Sequence, residues 1–379
     1  MSFSWKCPFH SFSLGFVAAA GLFMLARRLK NERRRTKGGK DVPSSSGSVA
    51  ALLPRELHRC PYTRELLVAI GAALEAGANI RSALDAANKR VLNKGDADGI
   101  DFVTDTDQKN EQLVFERLKL AFPAHEFIGE ETSADAGGVP PLTAAPTWIC
   151  DPIDGTTNFV HAFPFTCVSI ALAVDMKPVV AVVYDPTADE LFLAVRGLGA
   201  FLNGQRIQVS SANRIRSALV LTETGYQRGS VQLDTIFRCL RAVVDKGPHS
   251  IRILGSCVLD LCYVACGRLD AMYLGVAGEG GKIWDYAAGA LVVLEAGGFV
   301  SDVVGNLGSD LILTSESILA ASTAELQVEM VGTLAAAVSE VPPRAPATKA
   351  EVPGPLSPFT KLFSMESSLF NSAGNPPKE

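Results

Sequence analysis

Residues 148–159 read Trp148-Ile149-Cys150-Asp151-Pro152-Ile153-Asp154-Gly155-Thr156-Thr157-Asn158-Phe159, and the chain is best read outward from them. The run 147–150 is short and apolar and ends in carboxylates, as a strand does when it delivers ligands to a site. Asp151 and Asp154 flank a proline turn that can present two carboxylates to neighbouring cations. Gly155-Thr156-Thr157 then opens a helix, whose N–H groups and positive dipole end make a cradle for an anion such as phosphate.

Two further acidic clusters lie far away in the chain, Gly129-Glu130-Glu131-Thr132 and Ile283-Trp284-Asp285-Tyr286-Ala287-Ala288-Gly289. Each sets carboxylates among apolar side chains, where a lone charge is costly and is paired, hydrogen-bonded or bound to metal. An all-oxygen ligand set suits hard cations, and Mg²⁺ takes a few carboxylates together with water and substrate phosphate. Singly, each cluster has a plainer reading. A GEE triplet arises by chance, a D-x-x-D-G run also makes a calcium turn or an Asx turn, and Asp285 after a tryptophan is a ready helix N-cap.

The surrounding chain is patterned for an α/β or α+β domain. Residues 63–91, with Leu66, Leu67, Ile70 and Leu74 at helical spacing, read as a long helix broken near Gly77. Residues 107–122 read as a second helix, Leu113, Phe115, Leu118 and Leu120 supplying much of its apolar surface. Residues 126–129, 165–174, 179–184 and 190–195 read as strands, the last two joined by Asp185-Pro186 turn chemistry. Residues 259–266 and 286–296 are helical, the latter stopped by Gly297-Gly298. There is no internal repeat.

The ends differ from this domain. Residues 9–26 are apolar or small apart from His10 and two serines, and a basic stretch follows from Arg27 through Arg33-Arg34-Arg35 to Lys40. That length approaches the ~20 residues of a membrane span, and the basic flank on its C-terminal side favours a cytosolic face for the downstream chain. The expectation is an uncleaved anchor with the catalytic part facing the cytosol. A cleaved presequence leading to an organellar matrix and a soluble arm are the alternatives. Residues 43–48 (PSSSGS) read as a linker, so residues 1–48 form an anchor or targeting segment, 60–338 the folded domain, and 339–379 a Pro-rich tail expected to be disordered. A net charge of −5 gives no reason to expect nucleic-acid binding. The eight cysteines contain no CxxC pair, which argues against zinc and for reduced thiols.

Together the motifs are specific. The string 151–159, DPIDGTTNF, resembles the signature of the inositol monophosphatase family. The resemblance begins with Asp101-Phe102-Val103-Thr104-Asp105-Thr106-Asp107 and runs through Phe127-Ile128-Gly129-Glu130-Glu131. It continues over residues 151–169 and 197–204 to Trp284-Asp285 and Glu295-Ala296-Gly297-Gly298. It implies the layered αβαβα sandwich shared with fructose-1,6-bisphosphatase, lithium sensitivity, a homodimer and two to three Mg²⁺ ions. Glu130, Asp151 and the Ile153 carbonyl would hold a first ion, and Asp151, Asp154 and Asp285 a second, with Glu130 also near a third. Thr156, hydrogen-bonded to Asp107, would orient a metal-activated water, with Glu130 also counted among the catalytic groups. Gly155 and Thr156 would bind phosphate through backbone N–H groups, and Asp154, Asp285, Gly255, Ser256 and Cys257 would complete the substrate site. His125, His161 and His249 are then structural.

Two departures from the family pattern bear on substrate. Lys94, the candidate for a family lysine, stands two residues further than usual from the Asp101 segment. Before Asp285 the chain has a long glycine-rich stretch, 274–282, in which Glu279 is the candidate to grip substrate hydroxyls. That stretch fails the P-loop pattern, because Lys282 is followed by Ile283. The resemblance implies hydrolysis of a small phosphate monoester, inositol monophosphate first. Histidinol phosphate, NADP(H) and adenosine bisphosphate are the rival substrates, and a non-catalytic membrane-tethered scaffold is the rival of another class.

Overall fold

Alternation of side chains along two β-sheets sorts the core of this protein into layers. The computed structural model describes residues 49–84, 91–93, 102–226, 229–278, 280–306 and 313–339. A short antiparallel pair, β1 (Val91–Asn93) and β2 (Phe102–Thr104), comes first. A seven-stranded sheet follows in chain order: β3 (Glu126–Gly129), β4 (Thr147–Asp154), β5 (Cys167–Val174), β6 (Lys177–Asp185), β7 (Glu190–Val195), β8 (Gly199–Leu202) and β9 (Gln205–Arg206). β3 and β4 run parallel, and every later pair is antiparallel. The second sheet takes β10 (Leu219–Thr222), β11 (Ser250–Arg252), β12 (Ala271–Leu274), β13 (Phe299–Ser301) and β14 (Ile318–Ala321) in the order β11-β10-β12-β14-β13. The helices are α1 (Thr63–Leu84), α2 (Asp105–Ala121), α3 (Glu130–Asp135), α4 (Thr156–Val160), α5 (Ser230–Asp245), α6 (Cys257–Ala265), α7 (Ile283–Glu295) and α8 (Ala324–Ser339).

On one face of the first sheet, Trp148, Cys150, Ile170, Leu172, Val180, Val182, Leu191 and Leu193 pack beneath α1 and α2. On the other, Ile149, Ala171, Ala181, Val183, Phe192 and Ala194 pack against α6 and α7. The same middle helices receive Leu221, Met272, Leu274, Ile318 and Ala320 from the second sheet. The alternate residues Val220, Ala271, Tyr273, Leu319 and Ala321 turn the opposite way, under α5 and α8. The result is the αβαβα sandwich that the resemblance implied. Strands covered on both faces read as unbroken apolar runs, and α7, sandwiched between sheets, is buried from Ile283 to Val293 at all but Asp285.

The helix boundaries correct two expectations. α1 is not broken at Gly77: a Cβ there would lie 2.5 Å from Cδ1 and Cε1 of Tyr184, so the glycine lets helix and β6 approach closely. Residues 85–90 lie outside the described residues, and Val91 belongs to β1 rather than to the helix. On α2 the inward residues are Val114, Phe115 and Leu118, while Leu120 is 84% exposed. Two residues beyond Leu118, Leu120 points away from the face defined by i, i+3 and i+4 spacing. By length and composition α1 is the described helix that would suffice to cross a membrane, yet Leu66, Ala69, Ile70, Ala73, Ala76 and Ile80 are wholly buried in the domain core. The expected anchor, linker and Pro-rich tail lie outside the described residues.

Candidate active site

The acidic motif sits on a β-bulge. Asp151 pairs with Ser169 and Asp154 with Cys167, so three steps along β4 oppose two along β5. In a regular strand, residues an odd number apart point to opposite faces. The extra residue restores the phase, and Asp151 and Asp154 emerge on one side. Pro152, lacking an N–H, is tolerated inside the bulge. Gly155 then turns the chain into α4 with φ +85, and a Cβ there would meet the Gly255 and Phe165 carbonyls at 3.0 Å. Parallel pairing sets Gly129 beside Cys150, so the next residues, Glu130 and Asp151, leave neighbouring strands at the same end. Asp285 arrives on the first turn of α7, where its carboxylate accepts from the Lys282 N–H. Asp285 is therefore not the N-cap that its place after a tryptophan suggested: Lys282 holds that position, and Asp285 reaches back to it from the third helical residue.

One oxygen each from Asp151, Asp154 and Asp285 lies within 4.8 Å of the others. They line a cavity of ≈ 740 Å³ whose wall also takes in Glu130, Ile153, Gly155, Thr156, Gly255 and Cys257. Each acid is braced. Asp151 Oδ1 accepts from the Ile153 N–H at 2.9 Å. Asp154 Oδ2 accepts from the Ser256 hydroxyl, from the Val258 N–H at 2.9 Å and from the Cys167 thiol at 3.8 Å. Burial pushes the Asp154 carboxyl up to about 6, against the pull of the Ser256 and Val258 hydrogen bonds, with Glu130 adding repulsion. Carboxylates converging in a desolvated pocket as an all-oxygen donor set fit a hard divalent cation.

Thr156 Oγ1 is 3.0 Å from the Ile153 carbonyl and 3.4 Å from Asp107 Oδ1. A hydroxyl carries one hydrogen and serves one acceptor at a time; the shorter contact is with Ile153. Asp107, wholly buried, accepts from the Thr104 N–H and hydroxyl through Oδ2. Of the residues expected to bind substrate, Gly255 and Cys257 line the cavity, whereas Ser256 is buried with its hydroxyl on Asp154. Lys282 lines the cavity as well. Glu279 and Lys94 lie outside the described residues. His125 stacks on Phe122 and Trp148, and burial lowers its pKa. His161, expected to be structural, lines the cavity. None of the seven described cysteines is in a disulfide.

Sequence reasoning missed three acids that organise this site. Buried Glu111 accepts from the Glu131 and Thr132 N–H groups at 2.8 Å each, fixing the first turn of α3 and with it Glu130. Glu223, just past β10, lines the cavity and accepts from the Leu254 and Gly255 N–H groups. Asp260 lies behind it on α6. Glu223 did carry a signal, an apolar run ending in an acid, the same pattern that marks 147–151.

A layered sandwich whose two halves close on convergent carboxylates beside a glycine-opened helix defines a metal-dependent phosphoric monoester hydrolase. Residues 63–341 match the inositol monophosphatase family. The chain is 50% identical over 267 residues to inositol monophosphatase 2 of Solanum lycopersicum, covering 70% of this chain and 96% of that one. It is 42% identical over 268 residues to inositol monophosphatase 2 of Mus musculus, covering 71% and 89%. The crystal structure of the extragenic suppressor protein suhB from Bartonella henselae superposes with a TM-score of 0.61 at 36% identity, over 70% of this chain and 96% of that one. The protein belongs to the inositol monophosphatase family.

Proposed function

We propose that this protein hydrolyses inositol monophosphate to inositol and inorganic phosphate with two to three Mg²⁺ ions, held by Glu130, Asp151, the Ile153 carbonyl, Asp154 and Asp285. The observation that carries this reading is the convergence of the Asp151, Asp154 and Asp285 oxygens within 4.8 Å on the cavity wall. Bound there, such ions lower the pKa of water and neutralise charge on the phosphate and leaving oxygens. The protein's own groups do the positioning. Thr156 Oγ1 would accept a hydrogen bond from the attacking water once its own hydrogen turns from the Ile153 carbonyl, 3.0 Å away, to Asp107 Oδ1 at 3.4 Å, so that Asp107 would fix the direction of attack. Backbone N–H groups of Gly155 and Thr156 hold the phosphate. Leu274, Gly280, Gly281 and Lys282 line the cavity and would form its wall on the leaving-group side, with Glu279 assigned to the hydroxyls. Homodimer formation and attachment to a cytosol-facing membrane through residues 9–26 belong to the same proposal.

The test is phosphate release from inositol monophosphate, histidinol phosphate, NADP⁺ and adenosine bisphosphate, with Mg²⁺ and after chelation. The expected result is Mg²⁺-dependent turnover with the highest kcat/KM on inositol monophosphate and inhibition by Li⁺. Preference for a nucleotide would transfer the assignment to that substrate, and undiminished turnover after chelation would refute the metal reading.

A further inference from the structure

The Leu254–Gly255 peptide is gripped from two sides. Asn158 Nδ2, from α4, has two hydrogens for three carbonyls, those of Leu254 at 2.7 Å, Phe165 at 2.9 Å and Gly255 at 3.2 Å, and the two nearest are Leu254 and Phe165. Glu223 Oε1 accepts the N–H groups of Leu254 and Gly255, both at 2.8 Å. Asn158 belongs to the half built on the first sheet, and Glu223 follows β10 of the second. The residues immediately after the gripped peptide are those that hold Asp154: the Ser256 hydroxyl and the Val258 N–H. Glu223 therefore acts on Asp154 through one short stretch of chain, 254–258.

Behind Glu223 stands a carboxyl group that the reaction as described does not use. Asp260 is 0% exposed between Leu259 and Leu261 on α6; no backbone N–H or hydroxyl reaches either of its oxygens, and the side chain that it hydrogen-bonds is that of Glu223. The charged groups acting on it are the carboxylates of Glu223 and Asp154. Buried acids with no cation between them do not both ionise; the more deeply buried one keeps its proton. Glu223 takes the charge, because two N–H groups stabilise its carboxylate and it reaches the cavity. Burial raises both carboxyls, that of Asp260 well above the ordinary range; on Glu223 the Gly255 and Leu254 N–H groups and then the Asp260 side chain pull against it.

We propose that Asp260 is a neutral carboxylic acid behind Glu223, and that the two form a positioning pair. Asp260 offers its proton to Glu223, Glu223 holds 254–255, and that peptide sets the carboxylate of Asp154. Neither residue touches the phosphate. The activity arm of the test rests on the phosphatase reading above; the spectroscopic arm does not.

The test compares Asp260→Asn with Asp260→Ala in the full-length chain. Asparagine still donates and cannot ionise, so kcat and the half-saturating Mg²⁺ concentration should stay within about threefold of wild type. Alanine removes the donor, so kcat should fall by roughly tenfold or more and half-saturating Mg²⁺ should rise, while KM for the substrate moves less. The wild-type minus Asp260→Asn infrared difference spectrum at neutral pH should contain the carbonyl stretch of a protonated carboxylic acid. The pair is refuted if that band is missing, or if asparagine costs as much as alanine. It is also refuted if alanine lowers Tm with kcat per folded molecule unchanged. Should the alanine variant not fold, the asparagine variant and the infrared band decide. If no substrate is turned over by wild type, the functional reading fails while the band still reports on the pair.

Discussion

At the scale of single residues the site works by holding charge where charge is unwelcome. Asp154 is the clearest case, since burial lifts its carboxyl to about 6, above the ~3.9 of an unfolded chain. A raised folded-state value means that the unfolded state gives up the proton first. The metal-free fold therefore loses stability as pH rises from about 4 to about 6, and the loss persists above that. Asp154→Asn, which keeps an acceptor for Ser256 and Val258, should raise the Tm of the metal-free protein at pH 7.5 by several degrees. In the same variant kcat at saturating Mg²⁺ should fall by about 10²–10³-fold or more. A folded Asp154→Asn protein with a tenth of wild-type turnover would falsify the ligand assignment. Protons also compete with cations for this oxygen. The rise in Tm caused by Mg²⁺ should accordingly shrink as pH drops below about 6, and a rise that is unchanged down to pH 5 would remove Asp154 from the ligand set.

At the scale of elements, what could be read in the sequence was what is local. The DPIDGTTNF run names its own strand, turn and helix start, and the acids at 130 and 285 show against their apolar neighbours. Glu111, Glu223 and Asp260 escaped notice because their contacts are made by folding. Glu111 meets backbone some 20 residues away, and Glu223 meets it some 30 away. Gly77 shows the converse error: glycine inside a helix suggests a break, but here the missing side chain is room for the Tyr184 ring. Gly77→Ala should destabilise the protein by about 1–3 kcal/mol through overpacking, visible as a lower denaturation midpoint, with kcat per folded molecule unchanged. A midpoint equal to wild type would mean that Tyr184 swings aside without cost. Glu111→Ala takes the acceptor from the buried Glu131 N–H and the part-buried Thr132 N–H, at about 1–3 kcal/mol, and by freeing the start of α3 should also raise half-saturating Mg²⁺. A loss of stability alone would confine Glu111 to a structural role.

At the scale of the whole molecule, the layers were legible as a class from strands mixed with helices, but the five-stranded sheet was not. Its strands are only three or four residues long, too short for periodicity to separate them from buried helix segments. Residues 1–48 precede the described domain, and the family match begins at residue 63. Deleting 1–48 should yield a soluble enzyme with unaltered kcat, whereas the full chain should sediment with membranes and expose its catalytic part to added protease. Full-length protein in the soluble fraction, or a protected catalytic part, would overturn the cytosol-facing anchor. The central helical layer has a consequence for synthesis on the ribosome. The first sheet is complete at Arg206, yet α6, part of the cover for its inner apolar face, begins only at Cys257. At ~5–20 residues per second a gap of roughly 50 residues leaves that face bare for about 3–10 s on every nascent chain. During that interval the unfinished protein presents a chaperone with a greasy sheet and no lid.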